Sequence, residues 1–164
     1  ANIEYQEITG MSLSNFSDSM TVPYQQLVPN QKNPYAFNQI WTQRYGKESA
    51  SAVHPYAQNM YLRHVDYQKF GFDYLYTDDS KVRAPHQDHI DSNPYISDSS
   101  AYQDIVDLIK DDKSGTPQFL QLVTMQNHTP YNDWYEDNEF KEANTSTRNS
   151  PAGKETTAIH TPRE

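Results

Sequence analysis

Two stretches decide the fold of this chain: Val53 to Tyr76, VHPYAQNMYLRHVDYQKFGFDYLY, and Gln121 to Trp134, QLVTMQNHTPYNDW. Each contains a short strand-like segment that delivers a histidine to its C-terminal end, His54 in the first stretch and His128 in the second. Open α/β sheets bind their ligands at the C-terminal ends of the strands. The two histidines and Arg63 therefore predict an anion-binding site at that edge.

Composition limits the possible functions. The chain has 164 residues, 35% of them hydrophobic, and a mean hydropathy of -0.97, which allows one domain with a small core. The net charge of -9 argues against nucleic acid as a partner, because phosphate neutralisation needs surplus Lys and Arg. No cysteine is present, which excludes disulfides and thiolate chemistry. No apolar run approaches the roughly 20 residues that cross a bilayer, so we expect a soluble chain.

Hydrophobic periodicity predicts an alternation of helices and strands. We expect helices over 2–9, 36–45 and 59–70 and one capped by Ser100 with Gln103, strands over 49–54, 72–76 and 119–125, and loops over 11–34 and 77–94. The expected buried helix faces are Ile3, Tyr5 and Ile8, then Phe37, Ile40, Trp41 and Tyr45, then Ile105, Val106, Leu108 and Ile109. The apolar run 119–125 is typical of a parallel strand covered on both faces. The pattern predicts an α/β fold with a mostly parallel sheet flanked by helices.

Four motifs, in order along residues 1–134, resemble the lipoteichoic acid synthase branch of the alkaline phosphatase and sulfatase superfamily. They are the opening ANIEYQEITG, the set His54, Tyr61 and Arg63, the segment from Tyr67 to Gly71-Phe72-Asp73, and Asn127-His128-Thr129-Pro130-Tyr131. The resemblance implies part of an alkaline-phosphatase-like sheet. It makes residues 1–140 a fragment of a sulfatase-like catalytic domain. Residues 141–164 change to a polar composition, and we expect a disordered or displaced tail there.

The resemblance also implies an activity. Such enzymes hold a divalent metal, typically manganese, and use a threonine to move glycerol phosphate from phosphatidylglycerol to a surface polymer on the outer face of the cell membrane. The nucleophilic threonine is expected immediately before Ala1, and the metal ligands upstream and downstream of the matching region. No catalytic or metal-binding residue is therefore expected in this chain, which should be inactive by itself, attached to the membrane only through other segments of its parent, and prone to self-association through uncovered apolar surface.

Four side chains are the substrate-binding candidates that the resemblance implies: His54, Tyr61, Arg63 and His128. Arg63 would clamp a phosphate with two N–H groups, and the histidines would donate to phosphate or glycerol oxygens. Tyr61 would form a wall of the glycerol pocket. Glycerol phosphate, other phosphodiesters and sulfate esters all suit such a pocket, so a sulfatase or phosphodiesterase stays open beside the transferase, as does a non-catalytic module that binds a glycerophosphate polymer.

Each candidate also has a plainer interpretation. His54 is compatible with an ordinary strand-end histidine bonded to backbone, and Arg63 with a surface ion pair to Asp66 three residues on. His86, Asp88 and His89 form the one close group of metal-ligand types, in a loop that we interpret as solvated. A Ser/His/Asp hydrolase is excluded because no G-x-S-x-G elbow exists to place the serine.

Overall fold

A computed structural model describes residues 1–130 and 132–138 of the chain. Three parallel strands form its sheet: β1 (Ala50–Val53), β2 (Tyr74–Tyr76) and β3 (Phe119–Leu122). Their order is β2-β1-β3, so the first strand is central. Strands alternate with helices along the chain, which confirms the predicted α/β class.

The central strand is buried because its side chains are small and both faces of the sheet are covered. All four residues of β1 are buried. Ala50 and Ala52 belong to a core cluster with apolar residues of the preceding and following helices. Since side chains alternate across a strand, Ser51 and Val53 lie on the other face, on which α5 (Asp98–Asp111) packs. Strand β3 is only half-buried within the described residues, whereas the sequence predicted cover on both faces.

Helices α1 (Asn2–Thr9) and α4 (Arg63–Phe70) end where the sequence predicts, each at a glycine. Gly10 has φ 69° and Gly71 has φ 83°, left-handed values at which a side chain is disfavoured. The predicted face of α1 is wrong in one respect. Ile3 is 73% exposed, and Glu4 is buried in its place.

The segment 11–34, predicted to be a loop crossing, instead supplies part of the core. It contains α2 (Pro23–Gln26) and two 3₁₀ turns, Leu13–Asn15 and Val28–Asn30. Pro23 occupies the first helical position, where its missing N–H costs nothing. Tyr24 and Val28 are fully buried against α4 and α1. Because this segment packs through tyrosine and proline, hydrophobic periodicity does not predict its burial.

Helix α3 (Phe37–Tyr45) turns a different face inward from the predicted one. Phe37 and Ile40 are 44% and 53% exposed, whereas Asn38 is completely buried. Asn38 donates from Nδ2 to the carbonyl of Phe70 at 2.9 Å, which explains why an amide occupies the inner position. Trp41 is half-buried and donates from Nε1 to the carbonyl of Pro117 at 2.9 Å.

The predicted helix over 59–70 is broken at its start. Residues Met60–Leu62 form a 3₁₀ turn, and α4 follows directly. Tyr61 and Leu62 both have left-handed backbone angles, with φ 55° and φ 61°. Two such residues in succession redirect the chain between the turn and the helix.

Helix α5 starts earlier than predicted, because Ser97 rather than Ser100 is its N-cap and accepts from the backbone N–H of Ser100. The predicted inner face is wrong for Val106 and Ile109, which are exposed. The buried positions are Ser100, Ala101 and Asp104.

The predicted loop over 77–94 is irregular, with isolated bridges pairing Thr77 with Arg83 and His89 with Ile96. The predicted polar tail over 141–164 lies outside the described residues. In the part of the chain that the structure describes, every helix is too short or too polar to cross a membrane.

Candidate functional site

His54 follows β1 directly and is completely buried. Its Nδ1 lies 3.1 Å from the carbonyl oxygen of Val123, and because a carbonyl can only accept, Nδ1 carries the proton. The Nε2 atom then holds a lone pair, and it has no partner among the described residues. Burial, followed by the nearby charge of Arg63, lowers the pKa of His54 to about 4. The side chain is therefore a neutral acceptor at pH 7.

Arg63, at the first position of α4, is also buried, and its partner is Glu4 rather than Asp66. The guanidinium donates from Nε to Oε1 of Glu4 at 3.0 Å and from Nη2 to Oε2 at 2.7 Å. Its Nη1 donates to the carbonyl of Met60 at 3.1 Å. Burial by itself raises the pKa of Glu4, but the hydrogen bonds and charge of Arg63 outweigh it and hold that pKa below its usual range. The surface ion pair between Arg63 and Asp66 does not form, and both carboxylate oxygens of Asp66 are buried without a hydrogen-bond partner among the described residues.

Tyr61 and Tyr67 enclose this ion pair. The guanidinium carbon of Arg63 lies 5.5 Å from the centroid of the Tyr61 ring, a cation–π distance. The hydroxyl of Tyr67 donates to Oε1 of Glu4 at 2.5 Å. With these contacts Arg63 is 3% exposed. The ring of Tyr61 covers one face of the guanidinium.

His128 lies beyond a row of aromatic rings that begins at His54. The ring centroids are 6.3 Å apart for His54 and Tyr56, 5.6 Å for Tyr56 and Tyr95, and 5.7 Å for Tyr95 and His128. The Nδ1 of His128 lies 2.7 Å from the carbonyl of Thr129, and the same carbonyl accepts from the Tyr95 hydroxyl at 2.7 Å. The structure thus connects His54 to His128 through two tyrosine rings, whereas Arg63 bonds to Glu4 and Met60.

Sequence reasoning missed Glu4, Tyr56 and Tyr95. Glu4 has the spacing of an exposed residue on a short amphipathic helix, so no local signal marks it as buried. Tyr56 lies two residues after His54, at a strand end, where a side chain is often functional. That position alone could have identified Tyr56 as a candidate site residue.

The loop histidines do not form a metal site. His86 Nε2 bonds to Oδ2 of Asp107 at 2.7 Å, and His89 Nδ1 lies 3.1 Å from the carbonyl of Asn93. The hydrogen bond to Asp107 is the main cause that raises the pKa of His86. Among residues 1–130 and 132–138, no three His, Asp or Glu side chains come together in a way that could hold a metal ion. These residues therefore do not fit a divalent metal by themselves.

Comparison with known proteins identifies the family. The Sulfatase family model matches residues 1–160. The chain belongs to the Sulfatase family. A curated relative from Rhizobium meliloti (strain 1021), which carries the provisional name cyclic beta-1,2-glucan modification protein, is 30% identical over 131 residues, covering 80% of this chain and 19% of its own length.

Two solved structures share the fold. The phosphoglycerol transferase GacH of Streptococcus pyogenes, in complex with sn-glycerol-1-phosphate, matches with TM-score 0.68 and 27% identity over 83% of this chain and 34% of its own. The lipoteichoic acid synthase LtaP of Listeria monocytogenes matches with TM-score 0.59 and 21% identity, covering 79% of this chain and 29% of that one. The resemblance to this branch of the superfamily is confirmed, and the chain spans about a third of the length of these structures and a fifth of the curated relative. Sulfatase superfamily members are generally metal-dependent.

Proposed function

We propose that this chain is part of the catalytic domain of an extracellular, metal-dependent phosphoglycerol transferase, which moves glycerol phosphate from phosphatidylglycerol to a cell-surface polymer through a threonine intermediate. The observation that carries the proposal is that His54 and Arg63, which follow the central strand, are both buried, and that edge-to-face ring contacts lead from His54 to His128. The fold match to a transferase in complex with sn-glycerol-1-phosphate supports it.

His54 would bind a hydroxyl group of the glycerol rather than the phosphate. Its Nδ1 proton is already directed at Val123, so Nε2 can only accept a hydrogen bond. A phosphate oxygen needs a donor, whereas a glycerol hydroxyl can donate. This revises the expected donor role of this histidine on the chemistry of its tautomer.

Arg63 would contact the phosphate with the N–H groups that its protein partners leave open. A guanidinium has five N–H donors. Glu4 takes one on Nε and one on Nη2, and the carbonyl of Met60 takes one on Nη1. One N–H remains on each terminal nitrogen, which is the number that a bidentate phosphate contact requires. Tyr61 would form the wall beside it, and His128 would close the far side.

Only the family resemblance supports the metal and the threonine nucleophile of this proposal. The described residues form no ligand set for manganese, so no step of the reaction is assigned to a metal here. In the proposed arrangement the threonine and the metal ligands come from other segments of the parent protein, and the isolated chain binds the glycerol phosphate group without transferring it.

Binding of two phosphate esters tests the assignment. We expect calorimetry to show that the chain prefers sn-glycerol-1-phosphate to methyl phosphate, which has no hydroxyl for His54 to accept from. His54→Leu should lower the ratio of the two affinities about tenfold, since an unmade hydrogen bond to a buried polar group costs about 1–3 kcal/mol. His64→Gln, at an exposed position of the same region, is the matched control.

Two results would contradict the role of His54 or the proposed substrate. If His54→Leu weakens both esters equally, His54 does not bind a glycerol hydroxyl. If the wild type binds neither ester, the proposed substrate is wrong. In the parent protein, release of diacylglycerol from phosphatidylglycerol would support the transferase, whereas hydrolysis of an aryl sulfate without transfer would favour a sulfatase.

A further inference from the structure

We propose that Glu4 is a positioning residue of this site, which fixes the orientation in which Arg63 meets the phosphate. The inference rests on the proposed function, and it concerns a residue of the opening motif to which the resemblance assigns no role. Glu4 is 5% exposed, and its two carboxylate oxygens contact Nε and Nη2 of Arg63. Because the carboxylate accepts from Nε and Nη2, it determines which N–H groups are left for a ligand.

Glu4 is itself held from two directions, so it can transmit a defined geometry. The Tyr67 hydroxyl, one turn along α4 from Arg63, donates to Oε1. On the other side the backbone nitrogen of Ala1 lies 3.6 Å from Oε2, the arrangement in which a glutamate at the third helical position reaches back to the N-cap residue. Glu4 therefore connects the first turn of α1 to the first turn of α4, across 59 residues of sequence.

The orientation of Arg63 would otherwise be free to change. Its side chain has several rotatable bonds, and its remaining contacts are one bond to the carbonyl of Met60 and the face of the Tyr61 ring. The ring contact does not restrain rotation of the guanidinium within its plane, and the Nη1 bond restrains it at one point only. The two hydrogen bonds to Glu4 fix that rotation, because they require two parallel N–H groups directed at one carboxylate.

A double-mutant cycle on sn-glycerol-1-phosphate affinity tests this role in the complete protein that contains the chain. Glu4→Gln keeps the size of the side chain but replaces one acceptor oxygen with an amide NH₂ that faces the guanidinium. We expect about tenfold weaker binding in the wild-type background. In the Arg63→Gln background the same change should have no further effect, because positioning acts only through Arg63. Equal losses in both backgrounds would overturn the proposal and make the pair merely structural.

Two further variants keep the test decisive if Glu4→Gln does not fold. Glu4→Asp preserves the charge and withdraws the carboxylate by one methylene, so affinity should fall while the folded state is retained. Tyr67→Phe removes the bond that holds Oε1 without changing any charge, and a smaller loss of about threefold is expected. Unchanged affinity in Glu4→Asp would refute positioning.

A spectroscopic readout separates geometry from stability. In NMR spectra the Arg63 Nε proton should exchange slowly with solvent in the wild type and fast in Glu4→Asp, at temperatures where both proteins are folded. If the wild type binds no sn-glycerol-1-phosphate, the proposed function fails and the role of Glu4 fails with it. If the wild type binds and Glu4→Asp binds equally well, the positioning role alone fails.

Discussion

The carboxyl group of Asp66 gives the sharpest test of the buried polar interior around α4. The residue is completely buried, and neither carboxylate oxygen has a hydrogen-bond partner among the described residues. Burial, followed by repulsion from Glu4, raises the pKa of Asp66 from its ordinary 3.8 to about 8. At pH 7 we therefore expect the carboxyl to be protonated in the folded protein and ionised in the unfolded chain.

The sign and size of the effect on stability follow from that difference. Between pH 4 and pH 8 the folded state binds more protons than the unfolded state, so the free energy of unfolding falls as the pH rises. Each pH unit in this window costs about 1.4 kcal/mol. The wild type therefore loses on the order of 5 kcal/mol through Asp66 between pH 4 and pH 8, and all of this contribution is present below pH 4.

Asp66→Asn should remove that pH dependence, since an amide has the shape of the protonated acid and cannot ionise. Urea unfolding at a series of pH values should show equal stability of variant and wild type near pH 4 and a variant more stable by several kcal/mol at pH 8. Asp18→Asn, at an exposed loop position, is the control and should leave the wild-type profile unchanged. Parallel stability profiles for wild type and Asp66→Asn would refute the reasoning.

Three other substitutions test single contacts. Trp41→Phe removes the Nε1 bond to Pro117 and should lower the free energy of unfolding by about 1 kcal/mol in urea titration, with no loss if that bond is absent in solution. Ser97→Ala removes the N-cap of α5 and should cost about 1 kcal/mol, whereas Ser99→Ala, at an exposed position of the first turn, should cost far less by the same measurement. Gly71→Ala meets only ordinary contacts, so its loss of about 1–2 kcal/mol in thermal unfolding would come from the left-handed backbone.

The elements that sequence predicts well are those with a local signal along their length or at the end where they stop. Helix α1 is bounded by its periodic apolar residues and Gly10, and α4 ends at Gly71. The three strands carry short apolar runs, and their parallel order follows from the helices between them. These signals act within a few residues, which is why the α/β class could be predicted from the chain alone.

Burial patterns failed where a distant partner decides them. Glu4 replaces Ile3 on the inner face of α1 because Arg63, far along the chain, needs an anion inside the protein. Asn38 is buried because the last carbonyl of α4 needs a donor. Hydrophobic periodicity cannot show such partners, since both depend on tertiary contacts.

Sequence predicts where the candidate site residues lie along the chain, but not what they contact. His54 and His128 follow strands, and that placement is visible in the sequence. The tautomer of His54 depends on the carbonyl of Val123, 69 residues away. The roles of Tyr56 and Tyr95 depend on two loops meeting beside β1, which no local pattern records.

Tyr61 and Leu62 have left-handed backbones and directly precede Arg63, and Tyr61 also covers one face of its guanidinium. A side chain in this conformation costs roughly 1–2 kcal/mol relative to glycine, so a search for hardier variants should converge on glycine at these two positions. Glycine at position 61 would also take away the aromatic lid over the guanidinium. Thermal stability and ligand retention should therefore trade off at residue 61, whereas glycine at residue 62 leaves the Tyr61 ring in place.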